Sequence, residues 1–520
     1  MIQRIENKNA VYVFFILLTI YLSKFFYLNS LSAEDLMTII PDDAFYYLQM
    51  VKMRELHGFW SFDGHNPATG FHLLYGYFLL SLAQFINIDH WQLLFEIVSL
   101  TSILLLSISG SLLYKTSFTL KHGIHNWLAP SVLITPIMIN IPFLMMESSL
   151  VIFFAALSSF LIFKKSEIKT KEKTVLFTAG LLLSLSRSDA GLIIGSYFSA
   201  SLLIFTFSRS ENLKNITMKS LYALIGAITG IFLLFTHNLI TSGEILQSSA
   251  QIKSHWTQVI GYDASPAFEM AKAVLLPLLK KSSPFAQLVM GSIALAYLLK
   301  KTLNKKTDKP FIISLYATLF TILAYIIFYG ANSQSLQLWY TANFLAPSAL
   351  FLSLLVSTFP QKSHKILTIT FILFSTITTA KKYDDIIWPN QKQTYSSALK
   401  LKERIPKEAK VAAWNAGILG YISQVGIINI DGLANDSSTP YILENKLIDY
   451  LKKENILYIV DSKAMLTEPS LKLRGGYNIK EIHDCFDESN IQTYKDLTWL
   501  NSEMFIFKIN YNCINLKQKQ

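Results

Sequence analysis

Charge is what this sequence most lacks: Asp, Glu, Lys and Arg make up 16% of its 520 residues, where soluble domains carry about 25%. The shortfall excludes an ordinary soluble globule, because 52% of the residues are hydrophobic and they fall in long runs. Cysteine is nearly absent too. Cys485 and Cys513 are the only two, and both lie near the end of the chain. With so few thiols, and no dense grouping of His, Cys and Asp, nothing in the sequence demands a metal. No G-x-G-x-x-G follows a strand, so "AWNAGILGY", with Gly417 and Gly420, is not a dinucleotide fingerprint. No Ser/His/Asp or Cys/His nucleophile arrangement stands out. The net charge is +11. No basic run is interleaved with aromatics, however, so the excess does not point to nucleic acid. No repeat relates the two halves, which removes one mark of a transporter.

What is there is a series of apolar runs at 11–30, 71–88, 91–114, 127–146, 148–163, 174–186, 190–207, 220–240, 284–299, 310–330, 338–358 and 366–380. Most are long enough to cross a hydrocarbon core of roughly 30 Å as a helix. The chain is therefore expected to be an α-helical polytopic membrane protein. The first run follows Arg4 and Lys8 and exceeds a signal-peptide core, so it reads as an uncleaved anchor. The segments "KKSEIKTKEK" at 164–173 and "KKTLNKKTDK" at 300–309 hold five lysines each. Positive loops stay cytoplasmic. Placing them and the N-terminus inside requires that 71–88, a region containing Gly70, His72, Gly76 and Gln84, does not cross. The expectation is then about 11 transmembrane helices, with surface helices in a first external loop at 31–90, a long external loop at 241–283 and an external C-terminus.

This parity gathers ionisable groups on one side. Asp42 and Asp43, in "IIPDDAFYYLQMVK", fall in the first external loop, and Glu147, in "FLMMESSL", at the next external turn. Arg187 and Asp189, in "SLSRSDAG", mark the tip of a hairpin whose first arm, 174–186, is too short to span alone. His237, Lys253 and His255 lie in or beside the loop 241–283. Ionisable groups at membrane depth are costly and face a cavity or a partner. Taken singly, each has a plainer reading. One of the adjacent acids could cap a helix, Glu147 could mark a helix boundary, Arg187 and Asp189 could pair, and the histidines could be interfacial. Their convergence is the stronger indication.

The segments "PDDAFYYL", "GFWSFDGHNPATGFHLLYGY", "MMES", "SRSDAG", "SGEILQSSAQIKSH" and "INIDGLAN" resemble, in order and placement, bacterial membrane proteins of the GT-C glycosyltransferase superfamily, related to the protein O-mannosyltransferases and the lipid A aminoarabinose transferases. The resemblance implies a GT-C-like fold and a sugar taken from a polyprenyl-phosphate donor in a cavity open to the bilayer. It maps Asp42 and Asp43 onto an essential acidic pair, and Glu147 onto a second external acidic position. The acceptor hydroxyl must lose a proton as it attacks, so Asp42 is expected as general base, with Asp43 orienting it or sharing the proton. Arg187, Lys253 and His255 are candidates for the donor phosphate, and Tyr46, His72 and Asp189 for substrate contact. Phe45, Tyr46, Tyr47, Phe59, Trp60 and Phe71 could stack on a sugar or sit in an interfacial belt. A divalent metal bridging Asp42 and Glu147 is one option; no other cofactor is implied. The expected partners are the lipid donor, the bilayer and a glycan, lipid or protein acceptor, and the expected place is the inner membrane. Two rival functions stay open: a flippase of lipid-linked sugars, and a non-catalytic envelope assembly protein.

From Lys381 onward the composition becomes soluble. "KVAAWN", "IINI", "ILYIVDS" and "EMFIFKIN" read as strands, and "SSALKLKERI" and "YILENKLIDYLKKEN" as helices. A C-terminal soluble α/β domain at 381–520 is thus expected after a transmembrane domain at 1–380. Asp431 and Asn435 fall in a loop near a strand end, which could be a plain turn or could touch the acceptor. Cys485 and Cys513 could form a disulfide outside the membrane.

Overall fold

The computed structural model describes residues 2–263, 265, 309–332, 336–406, 409–462, 465, 485–492 and 504–517. The run expected at 284–299 and nearly all of the lysine loop at 300–309 lie outside the described residues. The helices up to the long loop are α1 (Ile2–Asn29), α2 (Ala33–Leu36), α3 (Asp42–His57), α4 (Leu73–Ala83), α5 (Trp91–Leu120), α6 (Leu128–Ser131), α7 (Ser148–Phe163), α8 (Thr170–Ser186), α9 (Gly191–Ser208), α10 (Glu211–Ser242) and α11 (Ser248–Ile260). After it come α12 (Lys309–Asn332), α13 (Ala342–Val356), α14 (Gln361–Lys381), α15 (Gln391–Arg404), α16 (Gly417–Ser423), α17 (Thr439–Leu443), α18 (Leu447–Lys453) and α19 (Tyr511–Lys517).

Among the described residues, 6 helical segments are long and apolar enough to cross a membrane: Arg4–Asn29, Trp91–Leu120, Ser188–Ser208, Glu211–Ser242, Lys309–Asn332 and Leu338–Val356. The apolar helices α4 and α7 are shorter, at 11 and 16 residues. The run at 127–146, expected as a crossing, is not one helix. It breaks into α6 and single turns at Ile124–Trp127, Val132–Ile134 and Met138–Phe143. Pro130, Pro136 and Pro142 explain this, since each lacks the N–H that a continuous ladder needs. Such backbone survives where protein encloses it. Tyr21 donates to the Leu133 carbonyl at 2.7 Å, and Thr379 donates to that of Ile134 at 2.6 Å.

Close helix packing is carried by glycine. A Cβ added to Gly180 of α8 would sit 2.0 Å from the Ala223 carbonyl oxygen of α10, and one on Gly226 would sit 2.0 Å from that of Phe177. Small residues bring the two backbones together, the usual basis of helix association in lipid.

The C-terminal part holds a 5-stranded sheet in the order β2-β1-β3-β5-β4. Its strands are β1 (Val411–Ala413), β2 (Ile427–Asn429), β3 (Tyr458–Ser462), β4 (Phe486–Gln492) and β5 (Met504–Ile509). β1 runs parallel to β2 and β3, with Ala412 opposite both Ile428 and Ile459; β5 is antiparallel to β3 and β4. Side chains alternate between the faces. Val411, Ala413, Ile427, Val460 and Ile506 join an apolar core continuous with the helices from α1 onward. Ala412, Ile428, Ile459 and Phe507 form a second core on the other face, which includes Ile252 of α11. Cys485 and Cys513 form a disulfide beside this second core, with Cα atoms 5.4 Å apart.

Candidate active site

Helix α3 begins after Pro41, whose extended backbone (φ −67°, ψ 151°) leaves the chain non-helical, and ends at Gly58 in the left-handed conformation (φ 79°). Its first turn carries Asp42 and Asp43, where carboxylates suit the unpaired helix amides. Residues Ala44–Val51 are buried without interruption. The α16 N-terminus and the loop after β1 cover the helix. Helical neighbours point about 100° apart at 3.6 residues per turn, so the two acids face different structures.

Asp43 faces a cavity of about 70 Å³ that is also lined by Tyr46, Tyr47, His72, Glu147, Arg187 and Lys253. Burial raises the Asp43 pKa, Lys253 pulls it back down and Glu147 pushes it up. Lys253, from α11, donates to the Tyr340 hydroxyl at 2.6 Å. Burial opposes the lysine charge, but Tyr340 and Asp43 outweigh it, and the ammonium titrates above the ordinary lysine value. Burial lowers the His72 pKa to about 4, so its ring is neutral near pH 7 although Nε2 lies 3.6 Å from Glu147 Oε1.

Behind the cavity, Arg187 interrupts α8 and α9 with an extended backbone (φ −156°, ψ 128°). Its guanidinium donates to Glu147 Oε1 at 2.7 Å and to both Asp189 oxygens at 3.0 Å, and it stacks over the Tyr340 ring at 4.2 Å. Asp189 also accepts from Tyr329 at 2.5 Å and from Asn343 at 3.1 Å. Glu147 is fully buried and lies 3.4 Å from the Tyr47 hydroxyl. Two residues before it, Met145 has φ 51°, an unusual backbone for a side-chain-bearing residue and the kind of strain that collects at working sites.

A second, larger space of about 920 Å³ shares His72, Arg187, Lys253 and Tyr340 with the first. One wall is made of apolar side chains of α9 and α10, such as Leu192, Leu224, Ile228 and Leu234, while α11 adds the polar Gln251, Ser254 and Gln258. Asp189 and His255 line this groove rather than the small cavity. His255 Nε2 is buried without a partner among the described residues, and burial lowers its pKa.

Asp42 lines neither space. Its Oδ1 accepts from the Ile418 amide at 2.7 Å and its Oδ2 from the Gly417 amide at 3.1 Å. Burial raises its pKa to about 7, against the two amide bonds and aided by repulsion from Asp43. A metal bridging Asp42 and Glu147 does not fit this arrangement. The Asp42 oxygens are committed outside the cavity, Glu147 is bonded to Arg187, and no three His, Cys, Asp or Glu side chains cluster as ligands among the described residues.

Most of the candidate aromatics serve packing. Phe45 packs edge-on against Trp91 at 6.0 Å, Trp60 packs on Phe71 at 4.4 Å, Phe59 lies 6.4 Å from His57, and Phe71 meets His237 at 5.8 Å. Only Tyr46 and Tyr47 of the group reach the cavity. Asp431 and Asn435 shape their loop: Asp431 accepts from the Leu433 amide at 2.7 Å, and Asn435 bonds the Asn429 carbonyl and the Tyr450 hydroxyl, each at 2.8 Å. Leu433 and Ala434, between them, reach the cavity. Sequence reasoning missed Tyr329, Trp339, Tyr340 and Asn343. Asn343, a polar residue deep in an apolar run, was the available clue.

The structure of archaeal oligosaccharyltransferase AglB from Archaeoglobus fulgidus, in complex with an inhibitory peptide and a dolichol-phosphate, superposes with a TM-score of 0.54 at 12% identity, over 96% of this chain and 76% of that one. ArnT from Cupriavidus metallidurans bound to undecaprenyl phosphate superposes at 0.53 and 8% identity, over 97% of both chains. The fold is that of the GT-C glycosyltransferases. Apo ArnT gives 0.51 over 89% of this chain. A domain of unknown function, DUF8728, matches residues 384–500, and no curated protein matches the chain. The GT-C fold thus runs through nearly the whole chain, while the sequence match is confined to a stretch after α14.

Proposed function

We propose that this protein is a glycosyltransferase that moves a sugar from a polyprenyl-phosphate donor to a hydroxyl acceptor at the outer face of the cytoplasmic membrane. The observation that carries the reading is the adjoining pair of spaces: a small polar cavity lined by two carboxylates, Asp43 and Glu147, and two cations, Arg187 and Lys253, sharing walls with a larger, mainly apolar groove. A lipid tail needs only such a groove, and its phosphate would stop where Lys253 and Arg187 begin. The GT-C neighbours crystallised with dolichol-phosphate and undecaprenyl phosphate support a donor of this class.

In this reading Asp43 is the general base. It takes the proton from the acceptor hydroxyl as that oxygen bonds the anomeric carbon and the bond from carbon to the phosphate oxygen breaks. Charge then grows on the departing polyprenyl phosphate, where Lys253 stabilises it, with Arg187 behind. His72, neutral and beside Glu147, is placed to hydrogen-bond substrate. The outward orientation rests on the lysine-rich segment 164–173, which lies at the ends of α7 and α8 away from the cavity.

The test uses purified full-length protein with radiolabelled undecaprenyl phosphates carrying a hexose, an N-acetylhexosamine or an aminopentose, plus envelope extract as acceptor. Release of free undecaprenyl phosphate, dependent on extract, is expected from at least one donor. A flippase would leave every donor intact, and that outcome would overturn the proposal.

A further inference from the structure

In open α/β sheets, ligands bind in the crevice beyond the carboxyl ends of the parallel strands. Here that crevice lies past β1, β2 and β3, where Trp414–Gly417, Asn429–Asp431 and Asp461 come together. It is filled by the first turns of α3. The Asp42 carboxylate stands against the Gly417 and Ile418 amides, where an anionic ligand of such a sheet would lie. One turn on, the Tyr46 hydroxyl lies 2.9 Å from the Trp414 carbonyl and accepts from the Ala416 amide at 3.0 Å and the Asn429 side chain at 3.2 Å. The approach requires glycine: a Cβ on Gly417 would lie 2.2 Å from the Asp42 carbonyl oxygen. A parallel seam forms at the loop after β2. Thr69 donates to Asp436 through its amide at 3.1 Å and its hydroxyl at 2.8 Å, and a Cβ on Gly70 would meet the Leu433 carbonyl oxygen. These seams bring Leu433 and Ala434 to the cavity wall.

We propose that Asp42 is a positioning residue: it docks the β-sheet unit onto α3 by occupying the ligand crevice of that unit, and so fixes Asp43 and the Leu433–Ala434 wall around the acceptor. The sheet unit is then no separate binding module; its own ligand place is used up by the helix it holds. The positioning half rests on the transfer reading above, whereas the docking half does not.

The experiment follows two readouts on full-length protein: hydrogen exchange of the peptide 414–421, and the transfer rate from whichever undecaprenyl-phosphate sugar is active. Asp42→Ala should speed exchange about tenfold or more and slow transfer about 10²-fold, the scale of a misplaced group. Asp42→Asn keeps an amide-accepting oxygen, as good a cap as Asp, and should restore slow exchange and transfer to within about tenfold of wild type. Gly417→Ala, on the opposite side of the seam, should reproduce Asp42→Ala, and the double variant should be no worse than either single, because both break one contact. Asp43→Asn should lose transfer and leave exchange unchanged. Unchanged exchange in Asp42→Ala and Gly417→Ala would overturn the docking. Asp42→Asn as inactive as Asp43→Asn, with slow exchange, would overturn the positioning role and give Asp42 a direct part in the chemistry. If wild-type protein cleaves no donor, the transfer reading and the positioning role fail together, and exchange alone decides the docking.

Discussion

Asp43 sits between a neighbour that strips its proton and one that retains it. Lys253 lowers its pKa and Glu147 raises it, on top of burial, which keeps it above the ordinary carboxylate value. A base works ionised, so the transfer rate should fall as pH drops through this raised pKa. Asp43→Asn should lose about 10²–10⁴-fold in rate at neutral pH. The neighbours move the acid limb in opposite directions. Lys253→Met removes the lowering charge and should shift the limb to higher pH; Glu147→Gln removes the raising charge and should shift it to lower pH. Rate–pH profiles of the two variants check this, and a limb that stays put in both would take Asp43 out of the base role. At this scale the sequence displays the acids and cations but not which of the two adjacent acids faces the cavity. Asp42 and Asp43 are indistinguishable as letters, and their surroundings differ only because a helical step separates their directions and because Gly417 lies some 375 residues away.

Helices α7 and α8, at 16 and 17 residues, are about 24–26 Å long at 1.5 Å per residue. Both run from the lysine-rich segment 164–173 to the site, so the two ends should lie on opposite sides of a bilayer. Cysteine introduced at 168 should resist a membrane-impermeant maleimide applied from outside, while one introduced at 250 or at 430 should react once solvent-exposed by mild denaturation; labelling at 168 in intact cells would reverse the orientation. The α8–α10 contact makes a second prediction. Gly226→Ile places atoms where the Phe177 carbonyl stands, and overpacking costs about 1–3 kcal/mol, read as a lower unfolding temperature in detergent. Elements with strong periodicity were legible: α5, α10 and α12 cover their apolar runs, and β1, β2, β3 and β5 fall on the expected strand segments. β4, "FDESNIQ", was missed because it is polar and acidic, and the antiparallel partner β5 decides its state. The helix read through "YILENKLIDYLKKEN" is broken at Asn445, where φ is 59°. The stretch at 127–146 looked like a crossing because hydropathy counts side chains and ignores what three prolines do to the backbone.

Seen whole, the molecule has an apolar core that does not stop where the membrane-spanning composition ends. Ile418, Val460 and Ile506 belong to the same cluster as Val13 and Leu106. Cutting the chain after Asp385 would therefore uncover α3 and leave the Asp42 carboxylate without its amides. Such a truncation should fail to give monodisperse protein in detergent, as size-exclusion profiles would reveal, and co-expression of the missing segment should restore it in part. A truncated form as stable as the full chain would mean that the sheet rests on the helices without supporting them. The soluble composition after Lys381 gave no hint of this dependence, since an apolar face of a strand reads the same whether it meets its own helices or another unit.

The contact between Asp42 and Ile418 joins residues 376 apart, and that spacing sets a clock. At about 5–20 residues per second of synthesis, Asp42 emerges roughly 20–75 s before its partner exists. Late in that interval, once Tyr340 has been made, the nascent chain has the charged groups and the apolar groove but no Leu433–Ala434 wall to close the cavity. On the transfer reading proposed above, activity would begin only when the sheet unit has been made and docked, and a chain abandoned midway by the ribosome would be inert toward lipid donors.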